Sequence, residues 1–543
     1  LILSIKENTL DFLFSDEYMK EQEKDITVYV NGFFYIRGCV SGKDSVLKLI
    51  SFYRKNGFIP FRELFGSYII IFKDNSRDEI LIFTDNSNMR SFFYNNEYIS
   101  DDIFQIIEKN KNSFFNQNAV LEYLKYGNIF EHATLIEDIK ATKSTLLYKI
   151  AKNSIIEINK GIGDISEKSI YADIYQYFDD LTLALSNKKI TMDLTGGYDS
   201  RMIFCALKNR IKDMHIFISG PDSAKDVIVA KNVAEKNDIN IDCFNNNYKK
   251  ISEKDLLKAF DFSYGQLVFD FCFRLMDFSF YRKNKGYDLR ITGDGGVLHK
   301  DWWWLQDFPL YNKSRTNLKK FYYQRVNYSR INYNVFSYDF LEKIKSYDDV
   351  FTSNLAKYVR KTNTQTYDFL YYYLFGSKLS RNYNIYSKIL ISYAPLWENE
   401  IVKLAYSLPR NERFYYNYIR RVTSHYDKKT SRLKTVYNMT ASSDIEYKLL
   451  DIGGFMSDYV KKAIRMIKRK ILNKNVKSDV DVYNIQKSIK DTNFFRESLE
   501  FMKNANVLRK DAEEKEIDST LGERILNIYL YYLKSDKKIL FRK

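Results

Sequence analysis

The run Leu194-Thr195-Gly196-Gly197-Tyr198-Asp199-Ser200-Arg201 constrains this chain more than any other stretch. It follows the strand-like segment Ile190 to Asp193 and leads into the helix-like segment Met202 to Asn209. A strand that ends in a hydroxyl, two glycines and a helix start gathers backbone N–H groups around one concavity, at the positive end of the helix dipole. Such a concavity suits phosphate. The glycines let an anion approach the backbone, Thr195 and Ser200 add hydroxyl donors, and Asp199 is placed to hold a magnesium ion. No lysine follows as it does in the Gly-x-x-x-x-Gly-Lys-Ser/Thr loop. A bare Gly-Gly pair also fits an ordinary strand-to-helix turn with an Asp or Ser cap, but Thr-Gly-Gly-x-Asp-Ser is a narrower pattern.

The chain then repeats strand, helix, strand through Met214 to Ser219, Asp226 to Lys236 and Ile239 to Phe244. This alternation predicts a parallel, doubly wound sheet whose ligands lie beyond the carboxyl ends of its strands, where Thr195, Ser219 and Thr292 all fall. Leu289-Arg290-Ile291-Thr292-Gly293-Asp294-Gly295-Gly296 is a second strand running into a glycine-rich turn, with a carboxylate inside it. Further on, Glu400 to Leu408 has the spacing of an amphipathic helix that Pro409 terminates.

The Thr195 to Ser200 loop resembles the pyrophosphate-binding loop of the ATP pyrophosphatase superfamily, usually Ser-Gly-Gly-x-Asp-Ser, to which the asparagine synthetases belong. The later motifs keep that family's order. Thr292-Gly293-Asp294 is similar to its second glycine motif, Pro395-Leu396-Trp397-Glu398 with Leu404-Ala405 and Leu408-Pro409 to its proline-acid and leucine-alanine signature, and Ser431-Arg432-Leu433-Lys434-Thr435 to the segment carrying its catalytic lysine. The resemblance implies magnesium ATP on Thr195, Gly196, Gly197, Tyr198, Asp199 and Ser200, with adenosine contacts from Ser219, Thr292 and Gly293. It implies Asp199 as metal ligand, Lys434 as the catalytic cation and Asp294 as a base. The chain also departs from the family. An Asp-Glu pair expected after the second motif is replaced by Val297-Leu298, followed by His299-Lys300-Asp301 and Trp302-Trp303-Trp304, so Asp301 is a substitute to consider. The arginine often found two residues before the proline is Tyr393.

Residues 1–160 read as a β-rich α+β unit. Short β-branched and aromatic runs at Ile26 to Val30, Phe33 to Ile36, Tyr68 to Phe72 and Ile80 to Thr84 alternate with helical spacing at Asp44 to Asn56 and Asn118 to Tyr126. Beside the synthetase-like loop, Phe61 to Tyr68, Ile80 to Asp85 and Ser91-Phe92-Phe93-Tyr94 are similar in order to the glutamine amidotransferase domain of asparagine synthetases. In that family an N-terminal cysteine attacks glutamine with its own α-amine as base, whereas here Leu1 comes first and Cys39 is the earliest cysteine. A degenerate domain without glutaminase chemistry is therefore expected.

The expected plan is α/β, with the degenerate α+β domain at 1–160, a doubly wound ATP-binding domain at 169–437 and a helical basic region at 438–543. With 45 Tyr and 40 Phe against 20 Gly and 5 Pro, the chain has ample material for packed cores and little for long linkers. Its four cysteines and four histidines lack metal-type spacing. A net charge of +16 suits anionic partners, but no companion RNA-binding module accompanies it, so nucleic acid is not expected. Without a leader-like or membrane-length apolar run, a cytoplasmic location is expected. In the tail, Tyr459 to Lys474 places Val460, Ala463, Ile464, Ile467 and Ile471 on one helical face, with Lys461, Lys462, Arg465, Lys468, Arg469 and Lys470 around the rest. Packing of that apolar face on the synthetase core is the expectation, and docking to a membrane surface or a partner is the alternative. The functional expectation is an ATP-dependent ligase that activates a carboxylate as an acyl-adenylate for attack by ammonia or a substrate amine, and the reading admits a homodimer. A non-catalytic nucleotide-binding scaffold derived from such an enzyme is its alternative.

Overall fold

In the computed structural model, residues 2–5, 18–110, 113–151, 154–245, 251–300, 315–327, 331–471 and 488–542 are described. Asp301 and Trp302 to Trp304 lie outside them.

The amino-terminal part builds two antiparallel sheets. The larger contains β2 (Met19–Glu23), β3 (Ile26–Ile36), β4 (Leu64–Asp74), β5 (Glu79–Thr84), β10 (Leu146–Ala151) and β11 (Ser154–Asn159), in the order β11-β10-β5-β4-β3-β2. The smaller joins β1 (Ile2–Ser4), β7 (Tyr98–Ser100), β6 (Phe93–Tyr94) and β9 (Lys140–Ala141) in that order. The runs Ile26 to Val30 and Phe33 to Ile36 form one continuous strand rather than two, because β3 pairs with β4 along its whole length, from Ile26 opposite Asp74 to Ile36 opposite Leu64. Successive side chains of β4 point to opposite faces. Ile70 and Phe72 pack with Val46, Leu49, Ile50 and Tyr53 of α1 (Lys43–Asn56). Ile69 and Ile71 pack against Phe92, Tyr94 and Ile99 of the smaller sheet. Two helices follow, α2 (Ile103–Lys109) and α3 (Gln117–Tyr126), with the short β8 (Ser113–Phe114) between them.

The second part is a five-stranded parallel sheet. Its members are β12 (Ile190–Asp193), β13 (Met214–Ser219), β14 (Ile241–Phe244), β15 (Leu289–Ile291) and β16 (Ser392–Tyr393), ordered β14-β13-β12-β15-β16. The chain lays strands outward from β12 to β14, then returns to the other side of β12 with β15 and β16. The order reverses between β12 and β15, and crevices at such a reversal are where open α/β sheets take ligands. The sheet is wrapped by α4 (Ile174–Leu185), α5 (Asp199–Leu207), α6 (Lys225–Glu235), α7 (Glu253–Ser263) and α8 (Phe269–Asn284). Partly buried Asp193, at the end of β12, accepts from Arg282 of α8 and from Arg290 of β15 at 2.6 Å, fastening that helix to the sheet. Despite burial, the two guanidiniums hold this carboxyl below its usual range.

After β15 come α9 (Gly376–Tyr386), which meets β16, α10 (Asn399–Ser407), which meets α4, and α11 (Asn417–Tyr426), which packs on α5. The carboxy-terminal part contributes α12 (Ile445–Ile471), α13 (Asn493–Asn504), α14 (Ser519–Lys534) and the short β17 (Ile539–Leu540). β17 pairs in parallel with β8, and Phe541 stacks on Phe115 at 4.7 Å, so the end of the chain returns to the amino-terminal part. Of the apolar face expected to pack on the core, the described members Val460 and Ile464 are exposed. The helix also begins well before Tyr459, at Ile445. No described helix is long and apolar enough to cross a membrane.

Candidate functional site

The loop between β12 and α5 is braced from within. The Thr195 N–H donates to Ser200 Oγ at 3.0 Å, the two hydroxyls lie 2.9 Å apart, and the Gly197 N–H donates to Thr195 Oγ1 at 3.3 Å. Ser200 is buried, so its hydroxyl holds the loop closed while Thr195 is exposed. The Tyr198 ring points away from the concavity. It is buried, stacks on Tyr416 with centroids 4.3 Å apart, and its hydroxyl donates to the Thr440 carbonyl at 3.0 Å. Tyr198 thus serves the loop through its backbone. Helix α5 starts at Asp199 with no side-chain cap, which leaves its first-turn N–H groups without a side-chain acceptor.

The second glycine turn packs directly onto the first. A Cβ on Gly293 would lie 2.8 Å from the Ser200 backbone nitrogen, and one on Gly296 would lie 2.3 Å from the Asp199 carboxyl carbon. At Gly293, where the neighbour is backbone, only glycine permits this approach. Within the turn, Asp294 Oδ2 accepts from the Tyr383 hydroxyl of α9 at 2.7 Å and from Thr292 Oγ1 at 3.3 Å. Burial first, and then the Asp294 charge, pushes the Tyr383 phenol well above its ordinary pKa. Partly buried Tyr371 is shifted upward by burial and then by the charges of Asp294 and Asp199.

The fourth motif is carried to the same place by its backbone. Arg201 of α5, fully buried, donates to the Leu433 carbonyl and, at 3.0 Å, to the Lys434 carbonyl. The Val436 N–H donates to the Gly196 carbonyl at 3.0 Å. Lys434 has an anchored main chain and an exposed side chain. Ser219 is exposed at the end of β13, one strand away from the loop. The structure therefore brings together the loop at 195–200, the turn at 292–296 and the 431–440 segment, with Ser219 at the crevice edge.

The third motif does something else. Tyr393 is sealed in the core, with its hydroxyl 2.8 Å from that of Tyr177 and 3.5 Å from that of Tyr35 on β3. Glu398 is buried and accepts from the Gly66 N–H at 2.7 Å and from the Ser87 hydroxyl at 3.3 Å. Burial pushes its carboxyl up to about 8. Glu400 receives Arg62 at 2.9 and 3.0 Å, Lys403 at 2.8 Å and the Ile170 N–H at 2.8 Å. These acids bind the amino-terminal part to the parallel-sheet part.

Two charged groups beside the loop escaped the sequence reading. Lys300 is ion-paired with Asp199 Oδ2, while Asp199 Oδ1 is buried without a hydrogen-bond partner. The signal was a cation two residues beyond Val297-Leu298. Asp226, in the first turn of α6, accepts from the Gly196 N–H at 2.9 Å. The described residues contain no cluster of three or more His, Cys, Asp or Glu that could hold a metal ion. A single carboxylate oxygen together with nucleotide phosphates does suit magnesium, which keeps most of its water and takes few protein ligands. The unpaired Asp199 Oδ1 meets that requirement for an oxygen donor.

Compared with known proteins, the chain matches no protein-family model and no curated protein.

Proposed function

We propose that the chain is an ATP-dependent, amide-forming ligase that uses the crevice between β12 and β15. The observation that carries this reading is the pairing of an uncapped helix start, after Thr195-Gly196-Gly197, with a second glycine turn bearing Asp294, both at the reversal point of a parallel sheet. ATP phosphates lie on the 195–200 backbone, and Ser219, Thr292 and Gly293 border the nucleoside. Asp199 and the phosphates would hold magnesium, which neutralises phosphate charge when bound. A substrate carboxylate oxygen attacks the α-phosphorus, the bond to the bridging oxygen breaks, and pyrophosphate leaves with that electron pair. Helix N–H groups and Lys434 stabilise the departing charge. Ammonia or a substrate amine then attacks the acyl-adenylate carbonyl, AMP leaves, and Asp294 takes the proton lost by nitrogen.

Pyrophosphate release from ATP across a panel of carboxylates and amines tests the reading. It expects turnover that Asp199→Ala and Lys434→Ala each reduce at least about a hundredfold, the scale of losing one electrostatic contact in a transition state. Equal rates in all three proteins would remove the assignment. The ion pair between Lys300 and Asp199 favours a second reading, a nucleotide-binding protein without turnover. Saturable ATP binding with no pyrophosphate release over the whole panel would select it.

A further inference from the structure

Helix α12 is a 27-residue rod, about 40 Å long at 1.5 Å per residue, and its polarity is inverted for a surface helix. The side facing the body carries Tyr447, Lys448, Asp451, Gly454, Phe455 and Asp458, all buried or partly buried. Asp451 accepts from Arg420 at 2.9 Å and from the Thr440 hydroxyl at 2.7 Å, the Lys448 carbonyl accepts from the Tyr415 hydroxyl at 2.6 Å, and Phe455 packs edge-on against Tyr415 at 4.6 Å. The side facing solvent carries Ile445, Leu449, Ile452, Met456, Val460 and Ile464, between 45% and 73% exposed. Spacings of three and four residues place them in one stripe, and Leu450 beside it is 79% exposed. A contiguous apolar stripe on a well-anchored helix marks an interaction surface rather than scattered surface hydrophobics.

Charge selects what covers it. Between 461 and 470 the sequence contains Lys461, Lys462, Arg465, Lys468, Arg469 and Lys470 and no acid, and the whole chain carries +16. An apolar stripe that runs into a densely basic stretch of sequence matches a surface that offers acyl chains beneath anionic headgroups. Nucleic acid supplies the charge without the apolar layer, and a second copy of this helix in parallel would bring six more cations against the first six. We infer that α12 seats the protein on an anionic membrane, lying in the interface plane with its outward stripe among the headgroups and its basic end against them.

The test is co-sedimentation of the full chain with vesicles of phosphatidylcholine alone or with about one-third phosphatidylserine. Two variants alter only exposed or sequence-basic positions: Leu449→Ser with Met456→Ser, and Lys461→Glu with Lys462→Glu and Arg465→Glu. Circular dichroism and melting confirm that each is folded. Wild-type partitioning onto the anionic vesicles should exceed that onto neutral ones by about tenfold or more, weaken with salt, and fall by about tenfold or more in each variant. Absence of binding, or binding unchanged in the apolar variant, overturns the inference. So does a dimer that Leu449→Ser with Met456→Ser converts to monomer while vesicles capture nothing, and so does capture by polyglutamate in place of vesicles.

Discussion

At the scale of single residues, Asp199 and Lys300 decide how the cradle handles charge. The Asp199 carboxylate lies in the proposed polyphosphate site, and Lys300 is its counter-ion. Removing the cation leaves an uncompensated carboxylate facing the nucleotide. Lys300→Met should therefore weaken magnesium-free ATP binding by about tenfold, roughly 1.4 kcal/mol, and excess magnesium should restore most of it. Calorimetric titration with and without the metal measures both terms, and an unchanged magnesium-free affinity would contradict the role given to Lys300. The two close glycines differ in what they would strike. Gly293→Ala meets the rigid Ser200 backbone, whereas Gly296→Ala meets the Asp199 side chain, which can turn. The first should lower stability by about 1–3 kcal/mol and abolish saturable ATP binding, while the second should cost less stability. Equal melting temperatures for the two variants would show that the turns are not interlocked. Motif order was enough to foresee that Thr195 to Ser200 and Thr292 to Gly296 meet. It was not enough to foresee that the Tyr198 ring and Tyr393 point into the core, because the side of a strand or turn that a residue occupies depends on register with neighbours hundreds of positions away.

Elements join through a buried acid. Glu398 begins α10 from inside the protein and receives its hydrogen bonds from the start of β4 and the loop after β5. With burial raising its pKa from 4.5 to about 8, the protonated form is the one the fold prefers. The sign follows directly. The folded state binds a proton that the unfolded chain has released, so the contribution of Glu398 is complete below about 4.5 and is lost progressively until about pH 8. The loss amounts to about 5 kcal/mol at most, taking roughly 1.4 kcal/mol per pH unit. Glu398→Gln keeps the shape and removes the titration. The difference in stability between wild type and variant, from urea melts at pH 5, 7 and 9, should move in favour of the variant as pH rises. A difference that does not change with pH would mean that the carboxyl is already ionised in the folded protein. The acids of the motif at 395–400 were visible in the sequence as a signature. Their work as a seam was not, since their partners Arg62, Gly66 and Ser87 lie in a part of the chain that spacing alone assigns elsewhere. The parallel sheet was legible because strands and helices alternate locally, and α1 and α3 were legible from their helical spacing.

At the scale of the whole molecule, the stretches expected at 1–160, 169–437 and 438–543 all contribute to one large core cluster, while two smaller clusters lie almost wholly in the first. Phe104 of α2 stacks on Tyr531 of α14 at 5.3 Å, and both meet Phe260 of α7. Arg524 of α14 donates to the Leu124 and Lys125 carbonyls at 2.8 and 3.0 Å, so a cation from the end of the chain caps the last turn of α3. Asn527 adds a bond to the Tyr123 hydroxyl at 3.1 Å. Sequence patterning cannot anticipate this, because an amphipathic helix states that it has an apolar face and not which distant helix covers it. A chain ending at residue 487 would leave Phe104, Phe115 and the last turn of α3 without cover, while the crevice between β12 and β15 keeps every residue named in it. Its hydrogen exchange should speed up first across 103–126, by an amount corresponding to several kcal/mol of lost local stability, and more slowly across β12 and α5. Such a gradient would mean that the carboxy-terminal helices serve the amino-terminal part and leave the site to its own sheet. Uniform loss of protection would instead make the interior a single cooperative unit, in which the stability of the crevice between β12 and β15 depends on contacts made by α14.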